Sequence, residues 1–139
     1  MNLLHVSDLL WTRADRLLRR YGIPSPSGFL ILTILDGAGT PLSPHVIAQR
    51  MFLTPGTMTG LIGTLQKHGY VSSARSAGRG RHRLISITDE GRRVQHHATR
   101  ALDPRLATWL GCLEQAEKLS LLGLLGKVGT YLKTTLDVE

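Results

Sequence analysis

Residues 42–91 read LSPHVIAQRMFLTPGTMTGLIGTLQKHGYVSSARSAGRGRHRLISITDEG, and this stretch decides the fold. It opens on Ser43-Pro44, an oxygen-bearing cap followed by a residue whose fixed φ suits the first helical position. The HVIAQRM run behind it has room for about two turns before Phe52-Leu53 interrupts it. Thr54-Pro55 then repeats the cap-and-proline start for a helix that closes at His68-Gly69, where glycine suits the left-handed position past a helix end. Two short helices joined by a tight turn are therefore predicted. Val71–Arg75 and Arg83–Thr88 follow as two strand-like runs, separated by SAGRGRH at 76–82, which makes a hairpin with a basic tip. Thr88-Asp89-Glu90 supplies a cap and acids for the first turn of the next helix.

Working outward, Leu3, Val6, Leu10, Ala14 and Leu17 recur in steps of three and four and define one face of a helix over Leu3–Arg20. Ser25-Pro26 starts a second helix running to about Leu35, and its GFLILTIL segment is apolar nearly all round, as in a helix buried on several sides. Asp36–Pro41 is a turn cluster. Beyond the hairpin a long helix is predicted from Asp89 to Leu113, bent or interrupted at Pro104. The last segment, Glu114–Leu136, sets Leu121, Leu125, Val128, Leu132 and Leu136 at near-heptad spacing, a seam for another helix. The order predicts a mainly α fold with a small β-wing. It is a single domain over 1–139, with a winged helix-turn-helix lobe at 25–91 and helical dimerisation arms at 3–20 and 89–139.

A chain of 139 residues can bury one core, and low aromatic content makes that core one of Leu, Ile and Val. The formal charge of +7 points to a polyanion as partner. The excess is local: residues 66–100 carry eight basic and two acidic side chains, whereas 101–139 carry four and five. The single Cys112 permits no intrachain disulfide, so a cytoplasmic home is expected. The first twenty residues, broken by Asp8, Arg13 and Asp15, read as neither a signal peptide nor a membrane span.

In a winged helix-turn-helix the second short helix enters the major groove while the hairpin follows the backbone or the minor groove. Met58, Leu61, Ile62 and Leu65 fit the core-facing pattern of that helix. Its other face, with the caps Ser43 and Thr54, gives the candidate DNA contacts Gly56, Thr57, Thr59, Gly60, Thr64 and Lys67, beside Gly63. Interior glycines each cost about 1 kcal/mol of helix stability relative to alanine, a cost that close approach to a groove offsets. The competing explanation is that they pack against a neighbouring helix. In the hairpin Arg75, Arg79, Arg81 and Arg83 crowd together without one acid, so duplex DNA is the expected partner.

The same residues resemble the MarR family of bacterial transcription regulators. The resemblance rests on Leu42-Ser43, Ala48, Thr57 and Leu61, on the run Leu65-Gln66-Lys67-His68-Gly69-Tyr70-Val71, and on Ile87-Thr88-Asp89-Glu90-Gly91; helices at 3–20 and 114–136 match the family's arms. It implies a triangular homodimer on a palindromic operator, acting as a repressor that a small phenolic or drug-like ligand releases. Two departures stand out. The family's wing carries an Asp two residues before the Arg matching Arg81, where this chain has Arg79, and Gly60, Gly63 and Thr64 replace polar or charged residues of the recognition helix.

Other classes fare worse. Adjacent His96 and His97 point about 100° apart on a helix and cannot share a ligand as i, i+4 pairs do. No HExxH, P-loop, nucleophile elbow or CxxC occurs, so no catalysis, resident metal or other cofactor is expected. A metal-responsive regulator would have to use His96, His97 and His5. Cys112, without a cationic neighbour, reads as a small buried apolar residue. For an aromatic ligand the candidates are Trp11, Arg16 and Phe29, with Trp11 equally suited to a dimer core. An architectural protein coating DNA without sequence preference is the alternative from another class.

Overall fold

The computed structural model describes residues 2–51, 53, 55–76 and 82–136. Six helices and one hairpin follow in the order α1 (Leu3–Arg20), α2 (Pro26–Ala38), α3 (Pro44–Met51), α4 (Pro55–Lys67), β1 (Val71–Arg75), β2 (Arg83–Ile87), α5 (Asp89–Trp109) and α6 (Gln115–Leu136). Contacts divide the chain into two compact units, Met1–Leu102 and Asp103–Glu139.

Within the first unit the helix starts follow from local side chains. Asn2 accepts a hydrogen bond from the His5 amide at 3.0 Å and caps α1. Ser25 does the same for Gly28 at 3.0 Å with Pro26 at the first helical position. α2 runs three residues past the expected Leu35 before Gly39 ends it in the left-handed region at φ 65°. The core collects Leu18 of α1, Ile31, Leu32 and Leu35 of α2, Ile47 of α3, Met58, Ile62 and Leu65 of α4, and Ile85 of β2, each at most 2% exposed. Leu61, expected in the same stripe, is only half-buried.

β1 and β2 pair antiparallel from Val71 opposite Ile87 to Arg75 opposite Arg83. Leu42, just before α3, adds a short third rung: its amide and carbonyl both bond to Ile85, at 3.0 and 2.8 Å. Burial falls along the hairpin, from Val71 and Ile85 inside to exposed Arg75 and Arg83.

The junction of α4, the hairpin and α5 is made by Thr88. Its hydroxyl donates to the Gly69 carbonyl at 2.6 Å and accepts the Gly91 amide at 3.0 Å, while its own amide donates to the Tyr70 carbonyl at 3.0 Å. Gly69 holds φ 77°, as its place past the helix end requires. Gly91 lies so close to this turn that a Cβ there would overlap the Tyr70 carbonyl oxygen. The Tyr70 hydroxyl in turn donates to the Gly22 carbonyl at 2.7 Å, fastening the α1–α2 turn.

The second unit consists of the end of α5, a turn and α6. α5 passes through Pro104 and ends at Trp109, so the proline neither stops it there nor lets it reach Leu113. The helix is kept going by its remaining amides, the single lost donor being a local deficit. Residues 110–113 form the turn, with Leu113 N–H donating to the Leu110 carbonyl at 3.0 Å. Cys112 is exposed on that turn rather than buried, because it lies off both helix faces. On α6 Leu121, Leu125, Val128 and Leu132 are between 38% and 50% exposed, and Leu119, Leu122, Leu124 and Tyr131 more so. No helix of the described residues is long and apolar enough to cross a membrane.

Gly91→Ala is expected to lower stability by about 1–3 kcal/mol, because the added methyl meets backbone that cannot rotate away. Urea unfolding checks this, and a midpoint equal to that of the parent chain would contradict the junction's role.

Candidate nucleic-acid interface

α4 is buried on one side only. Met58, Ile62 and Leu65 are fully covered, while Gly56, Thr57, Thr59, Gly60, Thr64 and Lys67 are exposed on the opposite side. A Cβ built on Gly56, Gly60 or Gly63 meets nothing within 4 Å. Among the described residues these glycines therefore pack against no other part of the chain, which weighs against the competing explanation for them. What they leave is a helix face on which an outside surface can come against the backbone. Thr64 turns its hydroxyl proton to the Gly60 carbonyl at 3.0 Å, which leaves its oxygen lone pairs outward. Ser43 is half-buried and caps α3, accepting the Val46 amide at 3.3 Å. Thr54, Arg79 and Arg81 lie outside the described residues.

Beside this face stands the hairpin. Arg75 and Arg83 are both exposed and border, with Ser73 and Ala74, a surface cavity of about 460 Å³. They differ in what they bind. Among the described residues Arg75 makes no ion pair, whereas Arg83 donates from Nε to Ser73 Oγ at 2.7 Å and from Nη2 to Gln66 Oε1 at 3.0 Å. Gln66 was not expected at the site, since a contact across seventeen residues has no periodic signature.

The basic excess of residues 66–100 is thus not uniform. On α5 Arg92 pairs with Asp36 at 3.0 Å and Arg93 with Glu90 at 2.7 Å, so these charges are spent internally. Asp36 also accepts from His96 Nε2 at 2.8 Å, and this bond, helped by Arg92 and opposed by burial, holds its carboxyl below the ordinary value.

Next to that pair, Asp36, Gln95, His96, Thr99 and Arg100 line a cavity of about 390 Å³ between α2 and α5. Gln95 is 5% exposed, and its Nε2 donates to Thr33 Oγ1 at 3.2 Å and to Thr99 Oγ1 at 3.0 Å. The Thr33 hydroxyl gives its proton to the Phe29 carbonyl, which fixes the amide this way round. Among the described residues Gln95 Oε1 is buried with no hydrogen-bond partner. The residues expected to line a ligand site, Trp11, Arg16 and Phe29, are not among those lining this cavity. Trp11 and Arg16, five positions apart on α1, project roughly 140° from each other, and Trp11 is 47% exposed.

Residues 21–82 match the model of the MarR family. Over 79 residues the chain is 30% identical to the HTH-type transcriptional regulator SarZ of Staphylococcus epidermidis, covering 57% of this chain and 52% of that protein. The chain thus spans about half the length of the curated relative it matches. Two solved structures share the fold. CouR from Rhodococcus jostii RHA1 bound to p-coumaroyl-CoA superposes with a TM-score of 0.81 at 20% identity, over 91% of this chain and 88% of that one. The S. aureus MepR–DNA complex gives 0.77 at 21% identity, over 92% and 91%.

Gly60→Ala should separate stability from binding. The helix gains about 0.5–1 kcal/mol from the better helix former, while duplex binding weakens by about fivefold or more as the methyl holds the backbone off. Unfolding curves and gel shifts on one preparation check the pair, and unchanged DNA affinity would contradict close approach. For Asp36 the sign is set by its lowered value: the folded chain binds that proton less readily than the unfolded one. Its contribution is complete above the ordinary carboxylate value and is lost as pH falls through the lower value of the folded chain. Asp36→Asn is expected to flatten the acid side of the stability profile there, read as urea midpoints against pH, and a curve parallel to the parent's would contradict the assignment.

Proposed function

We propose, from the premise that residues 21–82 belong to the MarR family, that this chain is a duplex-DNA-binding transcriptional regulator that selects its operator by sequence and shape. One observation carries the reading. α4 presents an exposed glycine- and threonine-rich face whose glycines meet no other described residue within 4 Å, opposite its buried stripe and next to an arginine-bearing hairpin. Such a face suits a backbone pressed into the major groove, with threonine hydroxyls and Lys67 reaching phosphates. Ser43, Gly56, Thr57, Thr59, Gly60, Thr64, Lys67 and Arg75 are the proposed contacts, together with Thr54, Arg79 and Arg81; Arg83, expected among them from the sequence, is bonded to Ser73 and Gln66. The thin supply of long polar side chains on α4 makes groove shape and wing contacts the main source of discrimination.

The finer reading is a cytoplasmic homodimer on a palindromic operator, acting as a repressor that a small aromatic ligand releases. The exposed leucines of α1 and α6 support dimerisation, since runs of large apolar side chains are costly to leave in water. That CouR has the same fold with p-coumaroyl-CoA bound supports ligand control. The α2–α5 cavity, with the Gln95 acceptor and Arg100 at its wall, offers polar groups to such a ligand.

The test compares affinity for the DNA flanking the chain's own gene with affinity for random duplex at one salt concentration. A ratio of at least about 10³ is expected for a sequence-reading regulator. A ratio near one would overturn this reading in favour of an architectural protein that coats DNA through its wing charge.

A further inference from the structure

We infer that Arg83 is a positioning residue rather than a phosphate contact: its guanidinium clamps the hairpin to the recognition helix through Gln66 and so sets the angle between the two DNA-facing elements. The inference rests on the DNA-binding reading above and adds what regulates the geometry of that site.

The clamp follows from strand parity. Arg83 lies two residues from Ile85, so both side chains fall on the face of the hairpin turned toward the helices. Ile85 is fully buried at the hairpin's root and held by both bonds to Leu42. Outward of that rung the strands are exposed and have little apolar contact to fix their direction. Here Arg83 spans three elements at once, with Nε on Ser73 of β1 at 2.7 Å and Nη2 on Gln66 of α4 at 3.0 Å. The rigid fork of a guanidinium satisfies two acceptors at fixed separation, which a lysine's single ammonium does not. Register adds a reason for the inward turn. Arg75 is directly opposite Arg83, and two like charges side by side on a strand pair repel. Folding one guanidinium back onto neutral oxygens relieves that repulsion.

A clamp and a phosphate contact are told apart by salt. A phosphate-binding arginine contributes about one to the slope of log affinity against log salt, and its removal lowers that slope. Loss of a clamp lowers affinity at every salt concentration and leaves the slope alone. Arg83→Lys keeps the charge and loses the fork; Gln66→Ala removes an uncharged partner. Each is expected to weaken duplex binding by about fivefold, the equivalent of one lost hydrogen bond, with the parent slope retained, and the double variant should be no weaker than either single one. Amide exchange without DNA gives a second readout: β1 and β2 amides should exchange faster in both variants while those of Ile47 and Ile62 keep their protection. Unchanged hairpin exchange and parent-like affinity in Gln66→Ala, or Arg83→Lys binding as the parent does, would overturn the clamp. Failure of the unaltered chain to bind any duplex would instead overturn the DNA-binding reading, and the exchange rates would still decide whether Arg83 holds the hairpin.

Discussion

The hydroxyl of Thr88 holds the helix pair α3–α4, the hairpin and α5 together. It bonds the carbonyl at the end of α4 and the amide at the start of α5, while the Thr88 backbone closes on Tyr70 at the base of the hairpin. Three elements that must share one orientation meet within a few ångströms. Two glycines make this possible for opposite reasons: Gly69 supplies a left-handed turn and Gly91 supplies the absence of a side chain. Through its hydroxyl bond to Gly22, Tyr70 carries the same constraint to α1 and α2, and burial favours keeping that phenol protonated.

From this fixed junction the distribution of charge acquires a meaning that its sum lacks. Arg92 and Arg93 answer Asp36 and Glu90 and belong to the scaffold, the first tying α5 to the end of α2. Arg83 is committed to Gln66 and Ser73. Arg75 and Lys67 remain exposed at the surface. The cationic field that would draw in DNA is carried by fewer side chains than composition implies, and they sit next to a backbone surface without protruding groups. Affinity from charge and discrimination from fit are thereby assigned to neighbouring but different structures.

What could be read from the sequence was what neighbours along the chain determine. Ser25-Pro26, Ser43-Pro44 and Gly69 place helix ends by local bonding, and the structure has each of them within a residue. The buried stripe of α4 followed from period alone except at Leu61, where the helix faces away from the densest packing. Pro104 does not interrupt α5 because one missing amide does not outweigh the remaining helical bonds, and Cys112 is exposed because it lies on a turn and not within the helix expected there. The site divided in the same way. The open face of α4 was legible, but whether its glycines served packing or approach depended on what lies within 4 Å of them in space. The His96–Asp36–Arg92 cluster, the unpartnered Gln95 acceptor and the Arg83–Gln66 bond join residues seventeen to sixty positions apart. No spacing rule announces such pairs.

The central claim is that the exposed face of α4 lies against DNA. Amide NMR of the labelled chain, titrated with duplex from the region flanking its gene, tests this most directly. The account predicts the largest shifts at Gly56, Gly60, Gly63 and Thr64, with smaller ones at Arg75 and its strand neighbours. Shifts confined to other elements, with the α4 glycines unmoved at saturation, would contradict it.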